Sequence, residues 1–149
     1  MQRRAFLASG AALATTALAG CLGPSLASSE YDIGMQSNAF VPKPAVEDTS
    51  QPTFEASVGD TVVWANSGSR NHTVTGYDVG IPDGAEYFAS GGFEDEQSAR
   101  NAWENSLGGG GIVAPGETYE HTFEVPGDYY YFCIPHESAG MRGRVLVTE

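Results

Sequence analysis

From residue 31 onward, apart from residues 77–118, the chain consists of short segments in which apolar and polar residues alternate, separated by turn residues. The clearest segment runs from Tyr119 to Val125, where the apolar positions alternate with Glu120, Thr122 and Glu124 before a Pro126-Gly127 turn. Alternation with a period of two is typical of β-strands with one buried face. The 19 glycines and 8 prolines also favour many short elements over a few long helices.

The remaining segments extend this pattern into a complete domain, predicted over residues 31–149. Further strands are predicted at 31–37, at 40–44 as a proline-broken edge, at 54–58 and 61–66 as a hairpin across Gly59-Asp60, and at 73–75, 128–133 and 144–148. Residues 94–103 have helical spacing between glycine-rich loops and predict one short helix, with the acids at its start favoured by the helix dipole. Seven or eight strands with one inserted helix predict an all-β Greek-key sandwich or barrel.

Residues 1–20 have the features of an export signal rather than of a fold. The pair Arg3 and Arg4, followed by Phe6-Leu7, resembles a twin-arginine signal, with the general secretory route as the alternative. The stretch 18–21 resembles a lipobox, which predicts that Cys21 is lipidated, and residues 21–30 then read as a tether. The domain is therefore predicted to be exported and lipid-anchored on the outer face of the cytoplasmic membrane.

The formal net charge is −12, and removal of Arg3 and Arg4 with the signal would make it −14. Nucleic acid is excluded as a partner, because phosphate binding needs clustered cations. Near the C-terminus, Glu137 is expected to be balanced by Arg142 and Arg144. The acidic residues are interpreted as a hydrated coat suited to concentrated salt, where screening acts within a few Å.

A thiol, an imidazole and a thioether lie within nine residues in the pattern Cys133-x2-His136-x4-Met141. Soft sulfur and nitrogen donors with a weak axial group suit copper that cycles between two oxidation states. A trigonal site needs a second imidazole, and His72 can supply it only if folding brings the two segments together. Zinc would accept the same Cys and His ligands, and a lone buried Cys is usually inert. The third histidine, His121, is interpreted as a packed strand residue.

At these residues the chain resembles the small blue copper proteins, or cupredoxins, and among them the plastocyanin-like halocyanins of salt-loving archaea. The resemblance covers roughly residues 31–149, and its matching motifs begin at Gly59, Asn71, Gly127 and Gly140. It implies one type 1 copper per chain with His72, Cys133 and His136 as equatorial ligands and Met141 as the axial ligand. Thr73 follows the first ligand where many plastocyanins have Asn, which leaves open which residue joins the two ligand segments.

The resemblance implies that electrons pass through the exposed edge of His136 to membrane-bound donor and acceptor proteins. A flat, weakly apolar docking patch is expected there, formed with the neighbouring small or apolar residues Ile134, Pro135, Ala139, Gly140 and Met141. The predicted function is that of a monomeric, membrane-tethered electron carrier and not an enzyme. The alternatives are copper storage or delivery, and an electron-donating subunit of a larger copper enzyme.

Overall fold

The computed structural model describes residues 30–149. The predicted signal with Arg3 and Arg4, the lipidation site Cys21 and nearly all of the tether lie outside the described residues. Among residues 30–149, no helix is both long enough and apolar enough to cross a membrane.

The eight strands of the described chain form two four-stranded sheets, as the all-β sandwich prediction requires. The strands are β1 (Ile33–Gln36), β2 (Ala39–Pro42), β3 (Thr53–Ser57), β4 (Thr61–Asn66), β5 (Thr75–Gly76), β6 (Thr118–Thr122), β7 (Gly127–Phe132) and β8 (Arg142–Thr148). The first sheet has the order β2-β1-β4-β6 and the second the order β3-β8-β7-β5. In each sheet one pair is parallel, β1 with β4 and β3 with β8, and the other pairs are antiparallel. The predicted fold class is confirmed.

The predicted hairpin between residues 54–58 and 61–66 is wrong. β3 pairs with β8 in the second sheet, whereas β4 pairs with β1 and β6 in the first. The Gly59-Asp60 turn does form, since the Asp60 amide donates to the Ser57 carbonyl and the Asp60 carboxylate accepts from the Ser57 amide. The turn therefore carries the chain from the second sheet to the first. The same turn residues can either close a hairpin or connect two sheets.

The segment between β5 and β6 contains the predicted helix, α1 (Glu96–Glu104), and two short 3-10 turns at Asp78–Gly80 and Leu107–Gly109. Asp95 is the N-cap of α1, and its side chain accepts from the Ser98 amide at 2.7 Å. The acidic helix start is thus confirmed, with a specific capping role for Asp95. The buried face of the helix carries Ala99 and Ala102.

The core between the sheets is largely aromatic. Trp64 of β4 meets Tyr131 of β7 edge to face, with ring centroids 5.4 Å apart, and Phe40 of β2 meets the same tyrosine at 4.7 Å. Phe88 comes from the inserted segment, yet it is buried and stacks on Trp64 at 6.1 Å. Buried aromatic contacts of this kind stabilise the fold beyond the area they remove from water. The insertion therefore contributes to the core as well as to the surface.

Candidate metal centre

The first candidate ligand, His72, lies between β4 and β5 and is fully buried. Its backbone forms an isolated antiparallel bridge with Val113, in which each residue donates its amide to the carbonyl of the other. The two following amides do not enter a strand ladder, because Thr73 donates to the Cys133 thiol and Val74 to the Ser90 hydroxyl. The strand predicted at 73–75 consequently starts only at Thr75.

The other three candidate ligands lie at the same end of the sandwich, between β7 and β8. Cys133 follows the last residue of β7, and Met141 precedes the first residue of β8; both are fully buried. Between them residues 134–139 form a 3-10 turn that presents His136 with a partly exposed side chain. Gly140 closes this turn at φ 87°, a left-handed conformation that favours glycine.

The side-chain donors converge at short distances. Cys133 Sγ lies 3.6 Å from His72 Nδ1 and 3.4 Å from His136 Nδ1, and the two imidazole ring centroids are 4.9 Å apart. Ligand bonds of about 2.0 to 2.3 Å meeting at one metal ion would separate sulfur and nitrogen by roughly 3.5 to 3.8 Å. The three atoms therefore fit one small metal ion.

Thr73 joins the two ligand segments, which the sequence left open. Its backbone amide donates to Cys133 Sγ at 3.3 Å, and its side-chain oxygen accepts from the Ile134 amide at 2.9 Å. Thr73, which follows the ligand His72, thus holds both the ligand Cys133 and the residue after it, Ile134. Such outer contacts fix the orientation of metal ligands.

Two buried polar residues, Asn66 and Ser90, fix the backbone next to His72, and neither was assigned a role from the sequence. The fully buried Asn66 donates from its side chain to the carbonyls of Arg70 at 2.6 Å and Val113 at 2.8 Å, which fixes both chain segments beside His72. The buried Ser90 hydroxyl accepts from Val74 and donates to the Gly111 carbonyl at 2.7 Å. The role of Asn66 could have been suspected from the sequence, because it is a polar residue at the end of a strand predicted to be buried.

Without a metal, the environment keeps the ligands in their neutral forms. Burial, followed by the neighbouring His136 and Arg70, lowers the pKa of His72 to about 4. The pKa of His136 is also lowered, first by burial and then by Arg70. Burial raises the pKa of the Cys133 thiol to about 11, although the hydrogen bonds from Thr73 and His136 act in the opposite direction. A metal cation must therefore displace the thiol proton but meets imidazoles that are already free to bind.

The charge balance of the ligand loop differs from the prediction. Glu137, which follows His136, accepts two hydrogen bonds from Arg100 of α1 at 2.7 and 3.2 Å. Arg142 instead donates to the Tyr77 hydroxyl, and Arg144 pairs with Asp128. Of the two arginines expected to balance Glu137, Arg142 still acts on it electrostatically, whereas the direct ion pair comes from Arg100 of the inserted helix.

The residues expected to form a patch around His136 differ in their exposure. Ser138, Ala139 and Gly140 are exposed and Ile134 and Pro135 are partly exposed, but Met141 is fully buried. Met141 therefore cannot contribute to a docking surface, and its burial beside Cys133 instead matches the expected ligand role. The Met141 carbonyl accepts from the Cys133 amide at 3.0 Å.

His121 lies away from this set, as predicted. It stacks on Phe88 with ring centroids 5.1 Å apart and meets Phe123 edge to face at 4.7 Å. Among residues 30–149, His72, Cys133 and His136 are the one group of His, Cys, Asp and Glu side chains close enough to hold a metal ion.

A β-sandwich with two imidazoles, one thiol and a buried thioether at one end defines a small copper-binding protein of the cupredoxin type. The sequence matches the copper-binding proteins of the plastocyanin/azurin family over residues 48–148, and the chain belongs to that family. His72, Cys133, His136 and Met141 accordingly form a type 1 copper-like site.

Individual relatives agree with this assignment. The chain is 33% identical to a plastocyanin of Scenedesmus fuscus over 115 residues, covering 77% of this chain and 94% of the relative. It is 31% identical to the chloroplastic plastocyanin of Tetradesmus obliquus over 115 residues, again covering 77% of this chain but 63% of that protein's length.

Two solved structures share the fold. A purple cupredoxin from Nitrosopumilus maritimus superposes with a TM-score of 0.50 at 26% identity, covering 80% of this chain and all of that chain. A copper-containing nitrite reductase from Thermus scotoductus superposes with a TM-score of 0.52 at 25% identity, covering 80% of this chain but 22% of the reductase. The second match therefore concerns one part of a much larger protein.

Proposed function

We propose that the chain is a one-electron carrier that uses a single type 1 copper held by His72, Cys133, His136 and Met141. The observation that carries this proposal is the convergence of three donor atoms. The Cys133 thiol lies 3.6 Å from His72 Nδ1 and 3.4 Å from His136 Nδ1, although His72 and Cys133 are 61 positions apart in sequence. Bound copper would supply the one-electron redox couple, which no side chain of this set provides.

The protein contributes a fixed arrangement of ligands. His72 is held by its bridge to Val113, and the Cys133 thiol accepts a hydrogen bond from the Thr73 amide. Ligands fixed in this way cannot rearrange freely between oxidation states, which suits repeated electron transfer. Met141 would supply the fourth, thioether ligand, a role supported by its burial next to Cys133 and by its spacing in the sequence.

His136 is the proposed point of electron exchange, because its side chain is partly exposed whereas His72, Cys133 and Met141 are fully buried. The exposed Ser138, Ala139 and Gly140 with the partly exposed Ile134 and Pro135 form the proposed docking patch. Membrane-bound donor and acceptor proteins would bind there through small, transient interfaces. The carrier itself is proposed to be a monomer.

The proposed location of the carrier rests on the N-terminal sequence. A twin-arginine signal with Arg3 and Arg4, a lipid on Cys21 and a short tether would place the domain on the outer face of the cytoplasmic membrane. The net charge of −12 and the resemblance to halocyanins support a protein that works in concentrated salt.

An enzyme of the copper oxidase or nitrite reductase kind would need a second copper centre with its own histidines. The sequence contains three histidines, and His121 packs against Phe88 and Phe123 after His72 and His136 are assigned. The chain alone therefore offers no second histidine set, although it could still donate electrons to a larger enzyme.

Electrochemistry separates a carrier from a copper storage or delivery protein. The copper-loaded protein is expected to show a reversible one-electron couple and to keep its copper over many redox cycles in the presence of a Cu(I) chelator. Rapid loss of Cu(I) during cycling would favour delivery, and the absence of a reversible couple would overturn the carrier proposal.

A further inference from the structure

The inserted helix contacts the ligand loop through one arginine. Arg100 of α1 donates from Nη1 to Glu137 Oε2 at 2.7 Å and from Nη2 to Glu137 Oε1 at 3.2 Å. Its Nε donates to Glu96 Oε2 at 2.9 Å, one helical turn earlier. The guanidinium also lies over the Phe132 ring, 4.3 Å from the centroid.

Two of the residues that Arg100 contacts, Phe132 and Glu137, are adjacent in sequence to candidate metal ligands. Phe132 directly precedes Cys133, and Glu137 directly follows His136. One side chain therefore contacts the residue before the thiol ligand and the residue after the exposed imidazole ligand. Tyr77 contacts the same two residues, because its ring stacks on Phe132 at 4.3 Å and its hydroxyl donates to Glu137 Oε1 at 2.9 Å.

The ligand loop has few other restraints. The Cys133 amide donates to the Met141 carbonyl at the base of the loop. The backbone bonds inside the loop are short-range contacts, from His136 to the Cys133 carbonyl, from Gly140 to the Glu137 carbonyl and from Met141 to the His136 carbonyl. Residues 134–139 are absent from the strand ladders of either sheet. From outside the loop, Thr73 accepts from the Ile134 amide and Tyr77 donates to Glu137, and Arg100 adds a charged, two-bond contact at the residue next to His136.

The Arg100 contact has the properties of a strong restraint. Two parallel hydrogen bonds between a guanidinium and a carboxylate fix direction as well as distance. The side chains of Arg100 and Glu137 are 28% and 24% exposed, so the pair is screened less than a fully exposed one.

We propose that Arg100 is a positioning residue for the metal site, which holds the loop between Cys133 and Met141 so that the His136 imidazole stays against the Cys133 thiol. Its effect on copper rests on the proposed function, whereas its effect on the loop does not require a metal.

The test compares Arg100→Met with Arg144→Met in the full chain. Both variants remove one positive charge. Arg100→Met breaks the ion pairs with Glu96 and Glu137, whereas Arg144→Met breaks the one with Asp128. The Arg144 partners, Asp128 and Thr53, lie in the second sheet, away from the ligand loop. In the copper-loaded protein, Arg100→Met is expected to release Cu(I) to a chelator about 10-fold faster. It should also change the relative intensities of the visible thiolate bands, which loss of stability alone would not do. Arg144→Met is expected to leave both properties as in the unmodified protein.

Arg100→Lys tests the geometry of the contact. Lysine keeps the charge but loses the planar fork that binds both carboxylate oxygens, so it should restore the copper release rate only in part. Unchanged release and spectrum in Arg100→Met, or equal changes in Arg144→Met, would overturn the proposal.

A measurement on metal-free protein keeps this inference separate from the proposed function. Amide hydrogen exchange at His136, Gly140 and Met141 is expected to be about 10-fold faster in Arg100→Met, with exchange in β4 unchanged. If the unmodified protein failed to form a copper thiolate site, the electron carrier would be refuted while the exchange rates still decided the role of Arg100. Equal exchange in both proteins would refute the positioning role.

Discussion

The two histidines of the site are held in different ways. His72 is fully buried and sits within the framework of the sandwich, with its backbone bridged to Val113 and its neighbours fixed by Asn66 and Ser90. His136 is partly exposed on a short loop that is tied to the inserted helix through Glu137 and Arg100. The fold thus provides one ligand that is difficult to reach and one at the surface. This asymmetry suits a site that must keep its metal yet exchange electrons with partners.

The strongest test of this asymmetry removes each imidazole in turn. His136→Gly should open a gap at the surface, and added imidazole should enter it and restore the copper thiolate band. His72→Gly should leave a buried cavity, destabilise the protein by about 3 kcal/mol and fail to regain the band. Titration with imidazole, followed in the visible spectrum and by thermal unfolding, measures both effects. Equal recovery of the two variants would show that the histidines are equally accessible.

The second test uses the pH dependence of the metal-free protein. The pKa of His72 is about 4 in the folded state, against about 6.5 in an unfolded chain. Between these values the unfolded chain binds a proton that the folded protein does not, so the free energy of unfolding falls as the pH drops from 6.5 to 4. The expected loss is about 3 kcal/mol, and the full stability is present above pH 6.5.

Two variants assign that pH dependence. Denaturant unfolding at several pH values should show that His72→Gln removes most of the loss, whereas His136→Gln retains it, because the more buried histidine carries the larger desolvation penalty. A flat profile in the unmodified protein would contradict the account of His72.

The third test concerns the link between the two ligand segments. Thr73→Val keeps the amide that donates to the Cys133 thiol but removes the oxygen that accepts from the partly buried Ile134 amide. Leaving that donor unpaired should cost about 1 to 3 kcal/mol and accelerate copper loss. Thr61→Val is the matched control, because it removes an exposed hydroxyl paired with Thr122 far from the ligands. Chemical unfolding and chelator competition measure the two effects, and similar values for both variants would remove the linking role of Thr73.

The smallest effect is expected from the loop glycine. Gly140→Ala should cost about 1 kcal/mol, because the residue has a φ of 87° while an added Cβ meets nothing within 4 Å. Gly84→Ala places the same strain, at a φ of 78°, in a turn away from the ligand loop. Thermal unfolding should show similar losses for both, and only Gly140→Ala should shift the visible bands. A shift of equal size in Gly84→Ala would mean that the bands respond to general destabilisation.

The sequence was most informative where the chemistry is local. The spacing of Cys133, His136 and Met141 predicted a shared site because all three lie on one connection between adjacent strands. His72 was proposed because a trigonal site needs a second imidazole, although nothing in its own segment points to residue 133, and the resemblance to a family then implied the complete ligand set. The alternating pattern predicted the strands well but not their partners.

The errors have a common physical cause, namely contacts between residues far apart in sequence. Gly59-Asp60 is a good turn signal, but a turn of the same kind can close a hairpin or pass between sheets. Glu137 was expected to be balanced by Arg142 and Arg144, whereas its direct ion pair is with Arg100, which lies 37 positions away in sequence. The role of Phe88 in the core was hidden in the same way, because its segment has no strand pattern of its own.

The central claim, that these four side chains form one type 1 copper site, is tested most directly by the visible spectrum of the copper-loaded protein. We predict one copper per chain and an intense thiolate-to-copper band that disappears in Cys133→Ser and persists in Cys21→Ser, which changes the other cysteine of the sequence. A copper-loaded protein without the band, or a band that survives Cys133→Ser, would contradict the account.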